Sequence, residues 1–197
     1  MGKKIAAILL LLFYFSSAIA QGLDLDITKG INPNNPRSGY WKGTTSTAFY
    51  ISGAVPFSLL VTGFIKDDPY LKKRGYEILG AIALELALSE TIKITVDRDR
   101  PGEKHPTTIF PYKNLKGRSF PSGHASLAFA TAASLSMQYR KWYVTVPAYC
   151  WAASVGYSRV YLGVHYASDV LGGAAVGIGS AYLAHWLEHR LFTPRRR

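Results

Sequence analysis

Residues 119–139 read SFPSGHASLAFATAASLSMQY. A polar tetrapeptide, Pro121-Ser122-Gly123-His124, runs straight into Gly123–Tyr139, a segment of apolar and small residues without a Lys, Arg, Asp or Glu. Its length is close to the ~17–25 residues with which a helix crosses a bilayer. Working outward, four more apolar segments of similar length occupy Ala48–Ile65, Tyr76–Val96, Tyr143–Tyr161 and Ser168–Leu187. Irregular backbone cannot face lipid, because its N–H and C=O groups would go unpaired, so helices are the expected form. Strands of an outer-membrane barrel would alternate apolar and polar residues, which these segments do not. The expected fold is therefore all-α, an integral-membrane helical bundle of about five spans in an inner membrane. Average hydropathy is near neutral only because polar loops dilute the apolar runs.

The loops set the orientation. Lys66, Lys72, Lys73 and Arg74 mark one turn as cytoplasmic, Arg140-Lys141 the next but one, and Arg190 with Arg195-Arg196-Arg197 the tail. Every second loop is thus basic, as the positive-inside rule requires. Trp41, Trp142 and Trp186 fall at segment ends, where an aromatic belt would place them. The intervening loop Asp97–Pro121 also carries six Lys and Arg, although the same rule puts it outside the cytoplasm. Anion binding is the expected reason.

Residues 1–20 combine Lys3-Lys4, an apolar run and Ala18-Ile-Ala20, the build of a cleaved signal peptide; a first membrane helix, giving six spans, is the alternative. Residues 21–47, with Asn32-Pro-Asn-Asn-Pro36, read as an extracytoplasmic loop segment. Residues 48–190 form the membrane domain, and 191–197 a basic cytoplasmic tail that meets anionic lipid heads. The net charge of +11, from 23 Lys+Arg against 12 Asp+Glu, suits an anionic partner. Here membrane lipids and an anionic lipid substrate are expected, and nucleic acid is not. Cys150 is the only cysteine, so an intrachain disulfide and a Cys-based zinc cluster are ruled out.

Three constellations fall on the same extracytoplasmic side: Lys93 with Arg100-Pro101; Ser122-Gly123-His124; and Ser158-Arg159 with His165 and Asp169. Lys93, Arg100 and Arg159 aimed at one point can neutralise a phosphate, with Arg supplying paired hydrogen bonds. Pro101 biases Arg100 away from helical geometry. Pro121 suits a first helical turn, after which the amides near Ser122 and Gly123 would point out as an anion site. His165 and Asp169, four apart, share a helix face. A carboxylate on one ring nitrogen leaves the other free as nucleophile. His124, from another wall, could donate a proton to a departing oxygen.

The pattern K-x6-R-P, PSGH, S-R-x5-H-x3-D resembles the three-part signature of the type-2 phosphatidic acid phosphatase superfamily, which includes membrane lipid phosphatases, class A acid phosphatases and vanadium haloperoxidases. The resemblance covers Ala48–Leu187. It implies that His165 attacks phosphorus to give a phosphohistidine, Asp169 orients it, and His124 serves as acid and then base. It further implies that Lys93, Arg100, Ser122, Gly123 and Arg159 hold the phosphoryl oxygens without metal or other cofactor. A lipid phosphate at the periplasmic face of a bacterial inner membrane is the implied substrate. Candidates are a polyprenyl diphosphate, a lipid A phosphate, phosphatidate or phosphatidylglycerol phosphate. An enzyme on soluble phosphoesters, a vanadate-dependent peroxidase and a non-catalytic lipid binder are the competing readings.

Other features compete for attention. His185-Trp-Leu-Glu188-His189 fits a zinc-protease pattern but lies at the cytoplasmic end of its helix, where an interfacial helix end is expected. Glu90 can reach Lys93 across one turn. Glu85, inside a span, has no partner legible in the sequence; packing glue and substrate binding are equally open. His105 is expected to be a solvated loop residue. Gly173-Ala-Ala-Val-Gly177 signals close helix packing, within the bundle or between copies in a homo-oligomer.

Overall fold

The computed structural model describes residues 22–192; the signal-peptide reading of 1–20 and the Arg195–Arg197 tail lie outside the described residues. The described residues form seven helices and no strand. They are α1 (22–31), α2 (Gly39–Ile65), α3 (Pro69–Val96), α4 (Pro101–Lys104), α5 (Gly123–Tyr139), α6 (Trp142–Tyr161) and α7 (Ala167–Phe192). The five apolar segments correspond to α2, α3, α5, α6 and α7.

One expectation is corrected. Residues 21–47 are not a loop: 22–31 are helical, and α2 begins nine residues before the apolar run at Gly39, capped by Ser38. Only 32–38, the Asn/Pro-rich piece, breaks the helices. Polar residues extend α2 because they face protein rather than lipid: Thr45 is buried, and Trp41 packs at a tilt against Tyr157 with ring centroids 4.8 Å apart.

Helix α5 is the hub and packs against α2, α3, α6 and α7. That position explains its composition. Ala125, Ser126, Ala128, Ala130, Ala132 and Ala133 are buried, and their small side chains let four neighbours approach one axis. Gly173 and Gly177 of α7 face it directly: a Cβ on Gly173 would lie 2.6 Å from Ser122 O, and one on Gly177 would collide with Ser126 O and Ala130 N. The glycine pair therefore serves packing within the chain. Large side chains sit outside instead, with Tyr50, Phe57, Phe64, Leu79, Trp142, Leu171 and Trp186 exposed.

Helices α2 and α7 are long and apolar enough to cross a membrane. Helix α5, at 17 residues, is shorter, and α3 carries Glu77, Glu85 and Glu90. The basic turns gather at one end. Arg74 and Gln138 exchange hydrogen bonds with each other's carbonyls, Lys73 pairs with Glu188 at 3.0 Å, and His185 Nδ1 lies 2.6 Å from Glu77 Oε1. His185 stacks edge-on against His189. His185 and Glu188 of the H-x-x-E-H residues are thus engaged in ties between α7 and α3. The three motifs cluster at the other end.

Candidate active site

The end of α3 aims the cradle. Asp97 takes a left-handed conformation (φ 46°) and its amide donates to Lys93 O, which stops the helix and turns the chain back over the bundle. Arg100 is then extended (φ −74°, ψ 150°) ahead of Pro101, as the proline requires. Its Nη1 donates to Val164 O at 2.9 Å and lies 3.4 Å from His165 Nε2. Lys93 sits over the start of α5: a Cβ on Gly123 would be 3.4 Å from its Nζ. Glu90 Oε2 lies 3.7 Å from the same ammonium, as the one-turn spacing implied.

Lys93, Arg100, Gly123, His124, Arg159 and His165 line a single cavity of about 250 Å³. Six of the eight residues chosen from sequence therefore meet there. His124 stacks edge-on against Phe49 with centroids 4.7 Å apart. Arg159 is almost wholly buried, and its Nη1 donates to Thr45 Oγ1 at 2.9 Å while Nε has no protein partner.

Ser122 and Asp169 stand behind the cavity. Ser122, not Pro121, caps α5, so the proline precedes the cap and does not occupy the first turn. The Ser122 amide is engaged, donating to Asp169 O at 2.9 Å. The amides of Gly123 and His124 head the helix and have no acceptor one turn back, so the anion-facing donors lie one residue later than the motif suggests.

Asp169 is fully buried. Its Oδ2 accepts from Tyr166 N at 2.9 Å and lies 3.4 Å from His165 Nδ1, too long and misaligned for a hydrogen bond. The carboxylate stands beside the imidazole, and Nε2 is the nitrogen turned toward Arg100. Burial, with Arg159 and Arg100 nearby, lowers the His165 pKa to about 4 against the opposing pull of Asp169. The ring is therefore neutral at pH 7, the state in which an imidazole nitrogen can attack an electrophile. Burial also lowers Arg100, although Asp169 and Glu103 oppose it.

Sequence reading missed the layer that holds Asp169. Arg98 Nη1 donates to Asp169 Oδ1 and to Ser168 Oγ, each at 2.7 Å, and Nη2 to Asp24 Oδ2 at 2.7 Å. Its guanidinium lies 3.9 Å from the Tyr166 ring centroid. Burial works to lower the Arg98 pKa, but Asp169 and Asp24 outweigh it and leave it raised. Asp24 also accepts from Ser168 N at 2.8 Å, at the start of α7. Asn32 ties α1 to the site loops, donating to Phe110 O and Tyr161 O and accepting from Phe110 N. Arg118 pairs with Asp97. Of the six cations in the 97–121 loop, Arg98 and Arg118 pair with acids and Arg100 lines the cavity, whereas Lys104, Lys113 and Lys116 do neither, so anion binding accounts for only part of the excess. No spacing rule links Asp24 to residues 144 positions away; only its place in a polar stretch ahead of the first apolar run marked it.

The fold and site together define an all-helical protein in which a cationic cavity, suited to a tetrahedral oxyanion, is flanked by two imidazoles at the ends of packed helices. The chain belongs to the PAP2 superfamily, whose family model matches residues 74–192. It is 30% identical over 142 residues to a lipid A 1-phosphatase of Rhizobium johnstonii, covering 70% of this chain and 57% of that protein. It is 26% identical over 163 residues to phosphatidylglycerophosphatase B of Bacillus subtilis, covering 77% of each. The crystal structure of Aquifex aeolicus LpxE matches with a TM-score of 0.65 at 30% identity, over 83% of this chain and 95% of that one. The chain spans less than two thirds of the length of the lipid A phosphatases it matches.

Proposed function

We propose that this protein is a membrane lipid phosphatase that acts at the periplasmic face of a bacterial inner membrane through a phosphohistidine. The observation that carries the proposal is the joint placement of His124, His165 and three cations around one cavity. Nε2 of His165 attacks phosphorus, and the bond from phosphorus to the lipid oxygen breaks. His124 gives its proton to that oxygen. Water then attacks the phosphohistidine, His124 takes its proton, and the N–P bond breaks to release phosphate. Lys93, Arg100 and Arg159, with the Gly123 and His124 amides, spread the phosphoryl charge, which is most of what such a transfer needs.

Five spans, with the N-terminal segment leading across the membrane, fit the outward large hydrophobics and the basic turns gathered opposite the site. The names of the relatives support a lipid phosphate as substrate. The test is phosphate release by detergent-purified protein from polyprenyl diphosphate, phosphatidate, phosphatidylglycerol phosphate and phosphorylated lipid A. Vanadate should inhibit and a chelator should not. His165→Ala and His124→Ala should each lose at least about a thousandfold in turnover. Full turnover in either variant would remove the proposed mechanism.

A further inference from the structure

The catalytic cavity continues past the cradle. Five residues of α3 line it, and among them Lys93, Ser89 and Glu85 are spaced by four on one helix face and so spread over about 12 Å of helix axis. Glu85 is fully buried, and neither carboxyl oxygen has a hydrogen-bond partner in the protein. Ser89 Oγ is buried and unpartnered beside it, and so is Ser126 Oγ, which faces Glu85 from α5. A buried carboxyl without a protein partner is costly unless something in the cavity satisfies it, and such groups in native structures have a reason. Glu90, by contrast, is largely exposed and lies beside Lys93.

The cavity also has an apolar lip. Phe49 of α2 and Leu86 of α3 line it and are more than half exposed on the outer surface of the bundle. A lipid with its phosphate in the cradle and its tail leaving between Phe49 and Leu86 must lay the intervening group against Ser89 and Glu85. An alkyl chain there would leave the carboxyl buried against hydrocarbon. A group bearing O–H or N–H would satisfy it.

Resting on the phosphatase reading above, we propose that Glu85 and Ser89 form a second binding element, which selects lipid phosphates whose phosphate is attached to a hydrogen-bond-donating polyol or amino-sugar unit. Phosphatidate and polyprenyl diphosphate have no such donor beside the phosphate. Phosphatidylglycerol phosphate and phosphorylated lipid A do.

The experiment measures kcat/KM on these lipids for the wild type, Glu85→Leu, Glu85→Gln and Ser89→Ala, and reads the ratio of donor-bearing to donor-free substrates. The wild type should favour donor-bearing lipids by about tenfold or more, the worth of a buried hydrogen bond made or lost. E85L should bring the ratio close to one, S89A should lower it, and E85Q, which keeps an acceptor, should retain most of it. A wild-type ratio near one, or a ratio that survives E85L because all substrates slow together, overturns the proposal. If E85L does not fold, the wild-type ratio and S89A decide in its place. Release of phosphate from none of the lipids would instead refute the phosphatase reading itself.

Discussion

Replacing Arg98 with Met removes one guanidinium and breaks three contacts at once. Asp169 loses the donor to Oδ1, Asp24 one of the two donors to Oδ2, and Ser168 Oγ the donor it accepts from, each at 2.7 Å, while the Ser168 hydroxyl still donates to Asp24. The methionine keeps much of the apolar stem, so packing over Tyr166 changes less than charge does. Asp169 is fully buried, and Arg98 is about a quarter exposed (26%). Removing one partner of a buried pair costs about 3–5 kcal/mol, because it strands the other charge. Solvent reaching the guanidinium discounts that figure to about 2–4 kcal/mol. For a chain of this size that is a fall in melting temperature of roughly 5–15 °C. Activity should fall as well, by about tenfold or more, because the carboxylate beside His165 Nδ1 is no longer held. Thermal unfolding in detergent and phosphate release on one lipid phosphate are the two assays. Asp24→Asn supplies the cross-check: R98M should cost less in that background, since one of its two partners is already neutral. An R98M protein that melts within about 1 °C of wild type and turns over within about twofold would refute the argument.

Two further outcomes follow from the geometry. His165 has its pKa lowered to about 4, so between pH 6.5 and 4 the unfolded chain takes up a proton that the folded chain does not. This residue should leave stability level above pH 6.5 and remove up to about 3 kcal/mol as pH falls to 4. The stability of the wild type relative to His165→Asn should fall by that amount across the window; parallel curves would rule the shift out. Gly177→Ala would drive a Cβ into Ser126 O and Ala130 N, which are backbone atoms that cannot turn aside. It should destabilise by more than about 2 kcal/mol. Gly179→Ala, with open space at its Cβ, should be neutral or slightly stabilising, and equal effects from the two would contradict the packing described.

Much of the chemistry was legible before any coordinates. Two of the three motifs carry their reason locally: a proline that extends Arg100 and a helix start at Gly123. The third does not, because His165 precedes α7 and so does not share a helix face with Asp169; the fold sets them side by side through the 162–166 turn. The apolar runs located five helices, Gly123–Tyr139 most closely, because a helix hemmed in by four others carries small and apolar residues and no Lys, Arg, Asp or Glu along its length. The N-terminal segment was misread for the converse reason. Its polar side chains, Asp24, Thr28, Asn32 and Thr45, are polar because they bind Arg98, Ala167, Phe110 and Arg159, and composition does not distinguish a side chain paired across the fold from one in water.

What the sequence by itself determined is the set of groups able to handle a phosphate and the helices that carry them, since both follow from short-range covalent and periodic constraints. Only the tertiary structure decided that Arg98 serves Asp169 and Asp24, that the Ser122 amide is occupied, that the glycine pair closes α7 on α5, and that Glu85 faces the cavity unpaired. Those facts depend on which side chains meet across helices many residues apart, and packing rather than sequence spacing sets those distances.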